Sequence, residues 1–141
     1  MEKIQTPTLT EVQAILKENK LPYEDIIKKQ LYSFFGYYKN DKLIGLVGLE
    51  IFDTIALLRS LCIKNKSAGV GSILLDYIEK YSLENNIKEL YLLTTTADIY
   101  FRKKGFKKED KSNAPNSIKN SNEFKSICPC NAIFMVKKII R

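Results

Sequence analysis

Histidine is absent from the 141 residues, and that absence removes whole classes of chemistry. No Ser-His-Asp or Cys-His pair can form, and no imidazole can hold a metal. Proton transfer has to run through Glu, Asp, Tyr, Lys, Cys or a bound water. Cysteine is scarce: only Cys62, Cys128 and Cys130 occur. An odd count argues against a disulfide framework. Cys128-Pro129-Cys130 with one distant thiol and no histidine is a poor basis for a four-ligand zinc site, so no metal is expected. A soft-metal or arsenic(III) contact at the C-x-C pair stands beside the plainer role of small buried hydrophobes near a strand. No apolar run is long enough to span a bilayer, and the opening Met-Glu-Lys-Ile-Gln-Thr-Pro has no apolar stretch of a secretory leader. A cytoplasmic protein without a membrane partner is therefore the expectation.

What is present suits one globular domain over residues 1–141, since a hydrophobic fraction of 45% supplies a core. The net charge of +7 is spread along the chain, apart from Arg102-Lys103-Lys104 with Lys107-Lys108. Scattered lysines most simply make a solvated surface, and a polyanionic cofactor is the functional alternative.

Element signals follow in order. Ile4 to Thr6 reads as a short strand closed by Pro7, and Thr8-x-x-Glu11 or Thr10-x-x-Gln13 as a capping box. Leu9, Val12, Ile15 and Leu16 then give a helical face, and a second short helix is expected over 23–30. Residues 32–39, 42–52 and 55–63 read as strands joined by the tight turns Asn40-Asp41 and Asp53-Thr54, an antiparallel meander. Val70, Ile73, Leu74, Tyr77, Ile78 and Tyr81 make a core-facing stripe on a helix over 70–83. A buried, parallel strand is expected over 89–94, a short helix over 97–104 stopped by Gly105, a strand from 106, and a last strand over 132–140. Between them, 111–126 is polar and reads as a loop, with Ser121 capping one turn that carries Phe124.

The most informative run is Asn65-Lys66-Ser67-Ala68-Gly69-Val70-Gly71-Ser72, where a strand gives way to a helix. Glycines there let backbone approach a ligand, and the new helix offers N–H groups and the positive end of its dipole. Together these make an anion site, most often for phosphate. The bland alternative is that the glycines merely open a helix.

Lys66-x-x-Gly69-x-Gly71 and Ala97-x-x-Tyr100-Phe101-x-Lys103-x-Gly105-Phe106, in this order and one helix and one strand apart, resemble the two motifs of the GNAT family of N-acetyltransferases. The resemblance covers residues 30–140 and implies an α/β (α+β) acyl-CoA N-acyltransferase fold, with a mixed central sheet and about four helices. Leu57-Leu58-Arg59-Ser60-Leu61, Leu92-Leu93-Thr94-Thr95-Thr96-Ala97 and Glu123-Phe124-x-Ser126-x-Cys128-Pro129 are similar to the branch associated with arsenic-resistance operons, related to phosphinothricin-type acetyltransferases. The resemblance implies acetyl-CoA as cofactor. Backbone of Ala68, Gly69, Val70, Gly71 and Ser72 would hold the pyrophosphate, and Leu61, Cys62 and Ile63 would pair with the pantetheine arm as an added strand. The strand at 89–94 would splay from the one before it to open the slot. Lys66 keeps the positive charge of the usual Arg but not its planar fork. Tyr100 and Lys103 would line the far side.

At one place the chain departs from the family: Phe101 stands where a Tyr general acid is common. Phenylalanine cannot protonate a thiolate, so water or Tyr100 has to serve. For the amine's proton the candidate is Glu50. If Asp53-Thr54 is a two-residue turn, Glu50 pairs with Leu57 and Arg59 lies diagonal to it on the same sheet face. The pair then either serves an acceptor, with Arg59 gripping its carboxylate and Glu50 its amine, or is a structural ion pair. A backbone N–H near Leu61 or Cys62 is the expected oxyanion donor. Ser121 and Glu123, in the polar loop, are candidate acceptor contacts.

The expected function is acetyl transfer from acetyl-CoA to a primary amine on a small, amino-acid-like molecule, by direct attack in a ternary complex, with a link to arsenic resistance. The alternatives are a protein or peptide amine as acceptor, and a non-catalytic acyl-CoA sensor. Nucleic acid is not expected as a partner, because the aromatic residues fall on core faces rather than among the basic ones. A homodimer through the terminal strands is an expectation from fold analogy.

Overall fold

A computed structural model of the chain describes residues 2–18, 34–64, 69–95, 97–121, 124 and 132–139. The expected helix over 23–30, Lys66, Ala68, Glu123 and the Cys128/Cys130 pair lie outside the described residues. The chain gathers into two units, one made of 1–49 and 60–81, the other of 50–59 and 82–141.

In the first unit, β1 (Glu2–Gln5), β2 (Phe34–Lys39) and β3 (Lys42–Phe52) are neighbours in that order, all antiparallel. Asn40 and Asp41 close β2 on β3 with φ of +52° and +65°, the twist that a two-residue hairpin needs. Helix α1 (Leu9–Glu18) begins with the Thr8/Glu11 capping box, not the Thr10/Gln13 alternative. The Thr8 N–H donates to Glu11 Oε1 at 3.0 Å, and the Glu11 N–H donates to Thr8 Oγ1 at 3.1 Å. Its apolar face, Val12, Ile15 and Leu16, packs with Phe34, Tyr38, Leu43, Leu46 and Cys62. Cys62 is thus one of the small buried hydrophobes expected of the thiols. Helix α2 (Val70–Glu84) starts here, and Tyr77 and Tyr81 meet the ring of Phe35 at 5.3 and 5.0 Å between centroids.

In the second unit β4 (Ile55–Ile63), β5 (Glu89–Thr94), β7 (Ile133–Lys138) and β6 (Lys107–Lys108) are neighbours in that spatial order, with the later part of β4 counted in the first unit. β4 and β5 are parallel, whereas β7 is antiparallel to both β5 and β6, so the sheet is mixed. β5 is buried from Leu90 to Thr94, as its continuous apolar run requires of a parallel strand.

Helix α3 (Asp98–Lys103) ends in a Schellman cap. The Phe106 N–H donates to the Phe101 carbonyl and the Gly105 N–H to that of Arg102, each at 3.0 Å, with Gly105 at φ +98°. Phe106 then packs edge-on against Phe101.

The segment expected as a loop holds structure. A 3-10 turn, Lys111–Asn113, is capped by Asp110, and helix α4 (Asn116–Lys119) follows. Its polar composition hid this, although Ala114 and Ile118 face inward. They join Leu57, Tyr91, Leu93, Ala132 and Phe134 in the core of this unit.

Candidate functional site

In the first unit the end of β4 leads to the start of α2. Cys62 points into the α1 side of the sheet, 3% exposed, and Leu61 and Ile63 are half-buried on either side of it. Gly69 precedes the helix at φ +82°, and its carbonyl accepts from the Ile73 N–H at 3.1 Å, which closes the first turn. A Cβ built on Gly69 would meet nothing within 4 Å. This open space lies beside N–H groups that helix geometry leaves to outside partners. No acidic residue occupies the first turn of α2, so nothing there opposes an anion. Val70 is buried and anchors the turn. It settles where β3 has Gly45, at which a Cβ would stand 3.1 Å from Val70 Cγ1, 3.1 Å from the Cys62 carbonyl oxygen and 2.8 Å from Ile63 Cδ1. These features fit a pyrophosphate at Gly69, Val70, Gly71 and Ser72.

In the second unit β4 and β5 form a fork. Their ladder runs from Ile55↔Glu89 to Leu57↔Tyr91 and, among the described residues, goes no further. β5 keeps its other edge paired with β7 as far as Thr94↔Ile133. Asp53-Thr54 is the two-residue turn that the sequence suggested, with Asp53 at φ +60°. The register that follows brings Arg59 onto Glu50, with Nη1 donating to Oε1 at 2.8 Å. The Arg59 side chain is 1% exposed and that of Glu50 21%, so the carboxylate is the member of the pair that meets solvent.

Leu57 and Tyr91, rung partners in the ladder, share one cluster with Phe52, Ile55 and Phe134. Tyr91 stacks on Phe134 with centroids 5.3 Å apart. Burial pushes its hydroxyl above the usual tyrosine range, helped by a hydrogen bond to Glu89 and the charge of Glu109. Ser121 is buried, donates to the Ile118 carbonyl at 2.7 Å and accepts from the Phe124 N–H at 3.2 Å. It is the cap expected from sequence, with its proton and one lone pair engaged inside the protein.

On α3, Phe101 is 6% exposed between Tyr100 and Phe106, at 5.3 and 5.6 Å. The position that departs from the family motif is therefore a core position. Tyr100 is half-buried with the Lys104 ammonium 5.7 Å from its ring centre, and Lys103 is exposed. Thr94 Oγ1, at the end of β5, accepts from the Ala97 N–H at 2.9 Å and so ties the start of α3 to the strand.

Leu61, Cys62, Ile63 and Gly69 to Ser72 belong to the first unit; Glu50, Arg59, Tyr100, Lys103 and Ser121 belong to the second. β4 carries Arg59 in one and Leu61 in the other. Sequence reasoning missed Ala114 and Ile118. Their spacing of four was the available signal, but polar neighbours diluted it. Among the described residues no cluster of His, Cys, Asp or Glu is arranged to hold a metal, and no helix is long and apolar enough to cross a membrane.

A family model described as acetyltransferase (GNAT) domain matches residues 2–123. No curated protein matches the chain by sequence. Among solved structures, the N-acetylglutamate synthase of Neisseria gonorrhoeae, complexed with coenzyme A and N-acetyl-glutamate, superposes with a TM-score of 0.85 at 18% identity, over 100% of this chain and 36% of that one. The chain thus spans about a third of that enzyme's length. A GNAT-family acetyltransferase from Staphylococcus aureus Mu50 gives 0.72 at 18% identity over 99% and 100% of the two chains. The PaiA N-acetyltransferase of Thermoplasma acidophilum, in complex with coenzyme A, gives 0.69 at 18% over 98% and 99%.

Proposed function

Since the chain belongs to the GNAT acetyltransferase family, we propose that it moves an acetyl group from acetyl-CoA to the primary amine of a small, amino-acid-like acceptor. One observation carries the acyl-CoA part: the β4–β5 ladder ends at Leu57↔Tyr91 while β4 runs on to Ile63. A strand with an edge released from its neighbour can take an extended ligand as an added strand. The pantetheine arm would lie along Leu61, Cys62 and Ile63, and the pyrophosphate on Ala68 to Ser72, with the α2 dipole behind it. Lys66, Tyr100 and Lys103 are the side chains proposed to touch the cofactor.

Acetyl-CoA supplies a thioester carbon; the amine forms a C–N bond to it as the C–S bond breaks. Glu50 takes the proton that the ammonium must lose, directly or through a water. Arg59, nearly fully buried and bonded to Glu50, is a positioning residue for that carboxylate rather than a grip on the acceptor. Sequence offered Arg59 as the grip on an acceptor carboxylate or as half of a structural ion pair; its burial and its bond to Glu50 support the positioning role. A backbone N–H near Leu61 or Cys62 polarises the carbonyl. The departing thiolate takes its proton from water or Tyr100, because the Phe101 ring has none to give. The amino-acid-like acceptor is supported by the likeness, over the whole chain, to an enzyme bound to N-acetyl-glutamate. The narrower link to arsenic-resistance acetyltransferases rests on the three sequence runs around Arg59, Thr94 and Phe124.

Thiol release from acetyl-CoA against a panel of amines tests this. The panel holds glutamate-like amino acids, phosphinothricin, an arsenic-bearing analogue, polyamines and a lysine peptide. Turnover is expected with the small amino acids, and Glu50→Gln should lower it about a hundredfold without loss of acetyl-CoA binding. Turnover with the peptide alone would replace the acceptor class. Binding of acetyl-CoA with no turnover on any amine would make the protein a sensor, the alternative that a buried Phe101 favours.

A further inference from the structure

The second unit holds a cavity of about 500 Å³ away from the Glu50–Arg59 pair, within the size range of small-molecule sites. Ile87, 2% exposed, forms its floor with the half-buried Leu83 and Ile139. Lys88 and Lys138, both exposed, stand on its rim with Glu89. Glu89 sits directly opposite Lys138 in the β5–β7 ladder and offsets one ammonium, so the rim keeps a net positive charge. An apolar floor under a cationic rim matches a ligand with a hydrocarbon body and an anionic head.

The cavity lies at the closed end of the fork. Glu89 is the first rung of the β4–β5 ladder. The Lys88 N–H donates to the Thr54 carbonyl at 2.6 Å, and the Lys88 carbonyl accepts from the Ile139 N–H at 2.8 Å. The backbone of one rim residue therefore ties the β3–β4 turn to the end of β7. Arg59 is four residues along β4 from Ile55, the rung partner of Glu89, a separation of about 13 Å. Tyr91, two residues along β5 from Glu89, stacks in the cluster that carries Leu57 and Phe134.

We propose that this cavity is an effector site for a small monocarboxylate with an aliphatic body, acting at the base of the fork. Occupation would bridge β5 and β7 where the ladder is held and compete with Glu89 for the Lys138 ammonium.

Calorimetric titration of the full chain with octanoate tests the assignment, with acetate as head alone and octanol as body alone. Octanoate is expected to bind saturably, and acetate and octanol at least about tenfold more weakly, since each meets only half of the site. Lys88→Glu and Lys138→Glu should each weaken octanoate by about tenfold or more; Lys88→Glu should leave thermal unfolding unchanged, its side chain being exposed, whereas Lys138→Glu faces Glu89 across the ladder and should lower it slightly. Saturating acetyl-CoA should not displace octanoate but should shift its affinity, because coupling between an effector and the ligand it acts on is reciprocal, and an unchanged affinity would remove the effector role. Displacement of octanoate by acetyl-CoA, equal binding by both charge-reversal variants, or no saturable heat would each overturn the proposal. The readout is binding, so it stands or falls apart from the acetyl-transfer reaction.

Discussion

Gly69 offers a perturbation whose two effects separate cleanly. Its φ of +82° is strained for any residue with a Cβ, yet among the described residues a Cβ there would touch nothing within 4 Å. In Gly69→Ala the whole stability change is therefore conformational. Left-handed backbone costs an L-residue about 1–2 kcal/mol, and about 0.4–1 kcal/mol returns because alanine restricts the unfolded chain. The net loss is about 1 kcal/mol, or about 4 °C in melting temperature for a chain of this length. Gly69→Asn adds the same Cβ, but asparagine tolerates the left-handed region, so most of that loss should vanish. Acetyl-CoA affinity should behave differently. In both variants the Cβ enters the space assigned to the pyrophosphate, and loss of one charge-assisted N–H contact, about 1.5–3 kcal/mol, weakens binding by roughly tenfold to a hundredfold. Thermal unfolding and calorimetric titration of the three proteins give both numbers. If Ala unfolds at the wild-type temperature, the positive φ is not required. If both variants bind acetyl-CoA like the wild type, the anion seat is not at this turn.

Ser121→Ala should cost about 1 kcal/mol through loss of the cap on Phe124, with KM for the amine unchanged; a raised KM would make Ser121 an acceptor contact. Gly45→Ala forces a Cβ to 3.1 Å from the Cys62 carbonyl oxygen and should destabilise by about 1–3 kcal/mol in chemical denaturation, whereas a neutral result would show that β4 and α2 can give way. Partial burial alone would raise the Glu11 carboxyl, but hydrogen bonds from Thr8 and Tyr38 and the charge of Lys64 outweigh it and hold it below the usual range. Its contribution is thus full above the ordinary glutamate range near about 4.3 and fades as pH falls through the lower folded value. Glu11→Gln should be less stable than wild type at neutral pH and draw level in acid; a gap that stays constant with pH would refute this.

Local signals were enough for much of the frame. The Asn40-Asp41 and Asp53-Thr54 turns follow from residues that accept positive φ, and the strand ends fall within two residues of those turns. Gly105 and Phe106 identify the end of α3 because a Schellman cap needs that pair in that order. The 3.6-residue stripe of α2 and the apolar run of β5 are likewise short-range patterns that tertiary packing only had to accept. The Glu50–Arg59 approach was legible too, since a two-residue turn leaves one register.

Burial of each partner was not legible, and the role proposed for Arg59 turns on it. Arg59 has 1% of its side chain exposed and Glu50 21%, a difference set by what covers the sheet there. Coverage is a non-local property. Ala114 and Ile118 reach the Leu57–Phe134 cluster from a 3-10 turn capped by Asp110 and a helix opened by Pro115, and two apolar residues in a polar stretch give too faint a period to foresee that. The point at which β4 and β5 part, after Leu57 and Tyr91, and the cavity beneath their first rung were decided in the same way. Both depend on where separate strands stop pairing, a balance of backbone hydrogen bonds across the sheet that no single segment encodes.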